Sequence, residues 1–202
     1  MGKEISLDEV KQIIESYINN EETKKCILKL FASIITKNHD YPSNWNVSLR
    51  EHGTHFQLNF GHKYILKIYE DNILVMNKRN SFLQLSKEFI NELLSECEFI
   101  NTQSNVIPKP NNAEELEMYP SEHLWNNSIQ LKIPFSKCER YLNILEPSIC
   151  DFARWCTMNG KIKPQSEEAH IPAFINYLNQ ELGENVPQPE YTNRDENIWV
   201  IS

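Results

Sequence analysis

The densest cluster of chemistry-bearing side chains lies between residues 45 and 79. His52, His55 and His62 fall within eleven residues. Imidazoles grouped this closely can ligate zinc or iron. The spacing argues against a shared ion. His52 falls in one turn, His62 in the next, and His55 begins the strand between them, which puts the two turns at opposite ends of that strand. No carboxylate or thiol stands at ligand spacing. The three read as turn and edge histidines, and no metal is expected.

A second pattern in the same stretch is better suited to binding. Arg50, His55, Gln57, Asn59, Lys67 and Tyr69 alternate with apolar residues along short strands. Period-2 alternation puts them on one face of a sheet. Guanidinium and ammonium groups can hold phosphates there, and amides and a phenol can hydrogen-bond bases or a nucleotide. The plainer reading is the solvated face of an antiparallel sheet. Trp125 lies in a less regular segment and is a candidate for ligand stacking or a partner contact, as is Trp199. Trp45 and Trp155 sit in apolar stripes and belong to the core.

Catalytic constellations are poorly supported. No Gly-x-Ser-x-Gly elbow occurs. Cys150 and Cys156 share a helix, and His170 is the next histidine downstream, but such cysteines are more often buried packing residues. The Glu-x-Lys pairs Glu9–Lys11 and Glu22–Lys24 fall on helices, not on the strands that metal-dependent nucleases use. Glu114, Glu115 and Glu117 form a solvated acidic run. No catalytic residue and no cofactor is assigned.

The five glycines stand at 2, 53, 61, 160 and 183. The closest pair is eight apart, so neither a P-loop nor a dinucleotide-binding fingerprint can be built. Any nucleotide would have to be held by side chains.

The 202 residues carry 20 basic and 28 acidic side chains, a net charge of −8. Residues 1–100 carry net −2 and residues 101–202 carry net −6, whereas 45–79 carries net +2 plus three histidines. The sheet is thus a basic element on an acidic protein. Overall acidity argues against tight, sequence-independent duplex binding.

These side chains need elements to position them. Ser6-Leu7-Asp8-Glu9 is a capping box opening a helix with Val10, Ile13, Ile14, Tyr17 and Ile18 on its apolar stripe. A second helix runs from about Glu21 to Asn38. The period then drops to 2 over four short strands within residues 45–76, an antiparallel meander. Helix resumes after Asn80-Ser81. Residues 101–120 read as a loop and the one candidate linker. A further strand is read at Ser128–Pro134. A helix capped by Ser136 follows, then another with Pro147 at its first position. The last runs from about His170 to Leu182, with Gly183 closing it.

The fold class is therefore α+β: a four-stranded antiparallel meander flanked by N-terminal and C-terminal helices. Residues 1–100 hold the first helices and the sheet. Residues 121–202 form a mainly helical region packed on them as a single globular unit. Apolar content of 40% supports a core. No apolar run reaches the roughly 18–20 residues that span a bilayer. The N-terminus lacks a secretory h-region, and the five cysteines are odd in number and widely spaced, so a cytoplasmic location with reduced thiols is expected. The 23 Asn and 22 Ile against 5 Ala point to an AT-rich prokaryotic or phage gene.

The stretches Trp45–Gly61 and His170–Tyr191 carry a faint similarity to accessory domains of prokaryotic restriction or defence proteins, over less than half the chain and without a catalytic motif. The reading is a non-catalytic binding or accessory module acting through a protein partner, with no membrane. The similarity shapes the alternative, a nucleic-acid- or nucleotide-binding module using the polar sheet face.

Overall fold

A computed structural model describes residues 6–39, 45–48, 55–60, 63–100, 108–119, 128–159 and 171–188. Seven helices and six strands lie among them, so the protein is α+β. The helices are α1 (Leu7–Tyr17), α2 (Glu21–Lys37), α3 (Arg79–Phe82), α4 (Lys87–Glu96), α5 (Ala113–Met118), α6 (Phe135–Asn159) and α7 (Ile171–Leu182). The strands are β1 (Trp45–Ser48), β2 (Phe56–Phe60), β3 (Lys63–Ile68), β4 (Asn72–Lys78), β5 (Glu98–Phe99) and β6 (Ser128–Pro134).

The strands form one antiparallel sheet in the order β1-β2-β3-β4-β6-β5. The predicted meander is its first four strands. The sheet then continues past β4: β6 pairs with it over seven residues, from Asn72 opposite Pro134 to Lys78 opposite Ser128. A strand that far along the sequence pairs here because Ile129, Leu131 and Ile133 extend the apolar face of β4, and all three are fully buried.

Local signals set the helix ends. At α1 the Ser6 side chain accepts from the Glu9 amide at 3.2 Å, and Glu9 accepts from the Ser6 amide at 2.8 Å. Asn20 caps α2 by accepting from Thr23 N at 2.8 Å, and Ser86 and Asn112 cap α4 and α5 in the same way. Gly183 closes α7 at φ +64°, a conformation that costs a side-chain-bearing residue energy.

Three expectations are corrected. The stretch read as a loop contains α5, whose C-terminal carbonyls at Leu116, Glu117 and Tyr119 accept from the Arg79 guanidinium, a cation where the helix dipole favours one. The two helices expected around Pro147 are one helix of 25 residues with the proline inside it. Its apolar stripe (Tyr141, Leu145, Ile149, Phe152) runs unbroken past the proline, so burial holds the helix together where one backbone hydrogen bond is missing. That helix also begins at Phe135, directly after β6, and not behind a Ser136 cap; the Phe135 amide donates to the Asp71 carbonyl at 3.0 Å.

The core lies between the inner sheet face and the long helices. Phe56 and Leu58 on β2, Leu66 and Ile68 on β3, and Ile73 and Val75 on β4 are fully buried with Phe31 of α2 and Phe174 of α7. The Phe31 ring stacks on Phe56 at 6.1 Å and meets Phe174 edge-on at 5.1 Å, which ties α2, β2 and α7 together. One polar pair is buried there as well. Ser148 of α6 donates to Asn77 Oδ1 at 2.6 Å, while Asn77 Nδ2 has no partner among the described residues.

Three helices meet around Lys24. Its ammonium lies 2.9 Å from Glu21, 3.5 Å from Glu181 and 3.7 Å from Glu15. Its side chain is only 5% exposed, so α1, α2 and α7 share one desolvated cation. Among the described residues, no helix is long and apolar enough to cross a membrane.

Candidate binding face on the sheet

The outer face of the sheet follows from the register. Across the strands, Ser48 pairs with Gln57, Gln57 with Lys67, Lys67 with Leu74, Leu74 with Lys132, and Lys132 with Glu98. Residues directly opposite one another share a face. This row therefore sets two ammonium groups on one surface with Leu74 between them. Strand spacing puts β3 and β6 about 9.5 Å apart.

A bulge adds a residue that alternation had placed elsewhere. Plain alternation along β3 would put Tyr64 on the apolar face with Leu66 and Ile68. The register shifts between Leu58 and Asn59, so Leu58 pairs with Leu66 but Asn59 pairs with Tyr64. Ile65 is the extra residue, and it is fully buried. A one-residue shift moves a side chain to the opposite face. Tyr64 accordingly stands beside Lys67, whose Nζ lies 3.8 Å from the centre of the Tyr64 ring. The Tyr64 hydroxyl donates to Gln130 Oε1 at 3.1 Å.

The same arrangement recurs further along. Lys132 Nζ lies 5.2 Å from the centre of the Tyr69 ring, and the His55 ring packs on Tyr69 at 5.0 Å. His55 Nε2 lies 3.3 Å from Gln57 Oε1. His55, Gln57, Tyr64, Lys67, Tyr69 and Lys132 are all half-buried, whereas Met76 and Gln130 on the same face are buried. The accessible part is thus the β2–β3 side together with Lys132.

The two lysines differ electrostatically from most others. Lys11, Lys24, Lys37, Lys87, Lys109 and Lys137 all pair with carboxylates. Lys67 and Lys132 pair with none among the described residues. Even Glu98, opposite Lys132 in the register, turns its carboxylate to Lys109 at 4.0 Å. Burial lowers the pKa of Lys67 and raises those of Tyr64 and Tyr69. Lys67 is therefore a partly desolvated cation, and both lysines lie over aromatic rings.

Of the sequence-chosen ligand residues, His55, Gln57, Lys67 and Tyr69 come together here. Asn59 is on β2, with its backbone alone described. Arg50 and Trp125 lie outside the described residues, as do His52, His62 and His170. The sequence reading missed Lys132, Tyr64 and Gln130. Gln130 and Lys132 alternate with Ile129, Leu131 and Ile133, a signal that was present but not joined to the sheet. Tyr64 carried no signal beyond Ile65, an apolar residue out of step with the alternation.

The cysteines are poor nucleophile candidates. Cys97, Cys138, Cys150 and Cys156 are buried, and burial pushes the Cys97 and Cys150 thiols up to about 11 and raises Cys138 as well. A reactive thiolate needs the opposite shift. Compared with protein-family models, curated proteins and solved structures, the chain matches none.

Proposed function

We propose that the protein is a non-catalytic binding module and that the accessible outer face of β2 and β3, together with Lys132 of β6, is its contact surface. The observation that carries this reading is the Gln57–Lys67–Leu74–Lys132 row, with both ammonium groups lacking a carboxylate partner among the described residues. An amine held partly out of water without a counter-ion costs stability. A partner that supplies the missing anion recovers that cost. A protein partner presenting carboxylates fits this description and was the first reading from sequence. A nucleic acid or nucleotide fits it too, and the tyrosine rings beneath the lysines favour that second reading.

The test is recovery of partners from the native cell on tagged protein, with protein and nucleic acid fractions both identified. Lys67→Glu with Lys132→Glu should abolish recovery of the bound species, and Lys25→Glu with Lys29→Glu on α2 should leave it unchanged. Recovery unaffected by the sheet-face reversal would overturn the reading.

A further inference from the structure

We infer that the outer sheet face takes a single-stranded nucleic acid, and that Lys67 and Lys132 are displaceable covers over the Tyr64 and Tyr69 rings. The inference rests on the reading of that face as the contact surface and names its ligand and its mode of capture.

Two observations combine. Each ammonium, without a carboxylate partner among the described residues, lies over a tyrosine ring, Lys67 at 3.8 Å and Lys132 at 5.2 Å from the ring centres. Each ring is held from another side, Tyr64 by its hydroxyl on Gln130 and Tyr69 by the His55 ring. In the free protein each amine rests against the negative face of a tyrosine ring. A phosphate is a stronger partner, because a charge-assisted hydrogen bond exceeds a cation–ring contact. When the amine swings to a phosphate, the ring face it covered is uncovered while the ring stays fixed. A base can then stack on it. Phosphate and base thus arrive together, and neither alone gives the full gain.

The ligand chemistry follows from this coupling. A duplex supplies phosphates but hides its base faces. An acidic peptide supplies charge without a planar ring. A single strand supplies both at once. The overall charge of −8 restricts the contact to this local basic area and disfavours a broad duplex footprint.

The experiment is fluorescence anisotropy of the full chain against a labelled oligothymidylate of about 15 nucleotides. An equal-length duplex, inorganic polyphosphate and a polyglutamate peptide serve as comparisons. With two phosphates neutralised, log K against log salt should fall with a slope of about −1.4, and Lys67→Ala should reduce it by about 0.7. Tyr64→Leu should weaken oligonucleotide binding about tenfold with the slope unchanged. The same variant should leave polyphosphate binding unaffected. A cooperative unfolding transition in each variant, with Lys67→Met as a second substitution at that site, separates lost binding from lost folding.

Polyphosphate or peptide binding as tight as the oligonucleotide, with Tyr64→Leu silent, would overturn the inference and leave the face a contact surface. No oligonucleotide binding at low salt would do the same. Oligonucleotide binding that survives Lys67→Ala with Lys132→Ala would overturn both the inference and the contact-surface reading.

Discussion

Lys67 and Lys132 occupy one cross-strand row on the outer sheet face, separated by Leu74, and neither ammonium meets a carboxylate among the described residues. Each rests on a tyrosine ring instead. Lys78 lies over the Trp155 ring in the same manner, 4.4 Å from its centre, but Lys67 and Lys132 share one row of the sheet.

Lys67→Met should cost little. Met keeps the apolar stem over Tyr64 and replaces the cation–ring contact with a sulfur–aromatic one. Unfolding in urea should place the variant within about 0.5 kcal/mol of the wild type. The pH dependence has a definite sign. Burial depresses the folded pKa of Lys67 below the ordinary lysine value. The penalty for burying the charged form is full below the folded pKa and is relieved as pH rises through it toward the unfolded value. The wild type should therefore gain stability relative to Lys67→Met on moving into the alkaline range. A constant difference across that range would contradict the assignment.

Lys24→Met should be much more costly. It leaves Glu15, Glu21 and Glu181 facing one another from three helices with no cation between them. Loss of one partner from a desolvated ion cluster costs about 3–5 kcal/mol where burial is complete, and the part-exposed glutamates reduce that to about 2. In a Glu181→Gln background the same substitution should cost less, measured by urea denaturation, because one of the facing carboxylates is gone. An equal cost in both backgrounds would show that the loss is one of packing.

The Asn77–Ser148 pair gives a contrast between one partner lost and both lost. Ser148→Ala leaves the Asn77 amide wholly unpaired in the core and should cost about 1–3 kcal/mol. Asn77→Leu combined with Ser148→Ala removes both polar groups and should recover most of that loss. Additive destabilisation in the double variant, measured by the denaturation midpoint, would contradict this.

Pro147→Ala should stabilise α6. The substitution restores a donor for the Asn143 carbonyl inside a helix of 25 residues. An interior proline costs about 3 kcal/mol against alanine, and the stiffer unfolded chain returns up to about 1 kcal/mol of it. A rise in the melting temperature is expected. A fall would mean that packing on the sheet uses the bend the proline imposes.

Much of the fold was legible because local chemistry and burial agreed. The Ser6 capping box, the span of α2 and the Gly183 stop follow from side-chain types at fixed offsets. The alternation of Phe56, Leu58, Leu66 and Ile68 gave the buried face of the meander directly. What escaped depends on long-range or register information. β6 joins β4 across a separation that no local pattern encodes. The bulge at Ile65 flips Tyr64, and its only trace in the sequence is a third apolar residue between two alternating ones. The continuity of α6 through Pro147 was lost because the proline signal is local, whereas the stripe that overrides it extends over several turns. The binding face was half legible for the same reason: Gln57 and Lys67 lie within the meander, while Lys132 arrives on a strand that only the tertiary fold brings alongside.

The central claim is that the outer sheet face is the contact surface, and amide chemical-shift mapping of the full chain titrated with single-stranded oligonucleotide tests it most directly. The predicted result is a set of changes concentrated at Gln57, Tyr64, Lys67, Leu74 and Lys132, with α1 and α7 unmoved. Changes centred on Lys25 and Lys29 of α2 with the sheet row unmoved, or no change along the row at all, would contradict it.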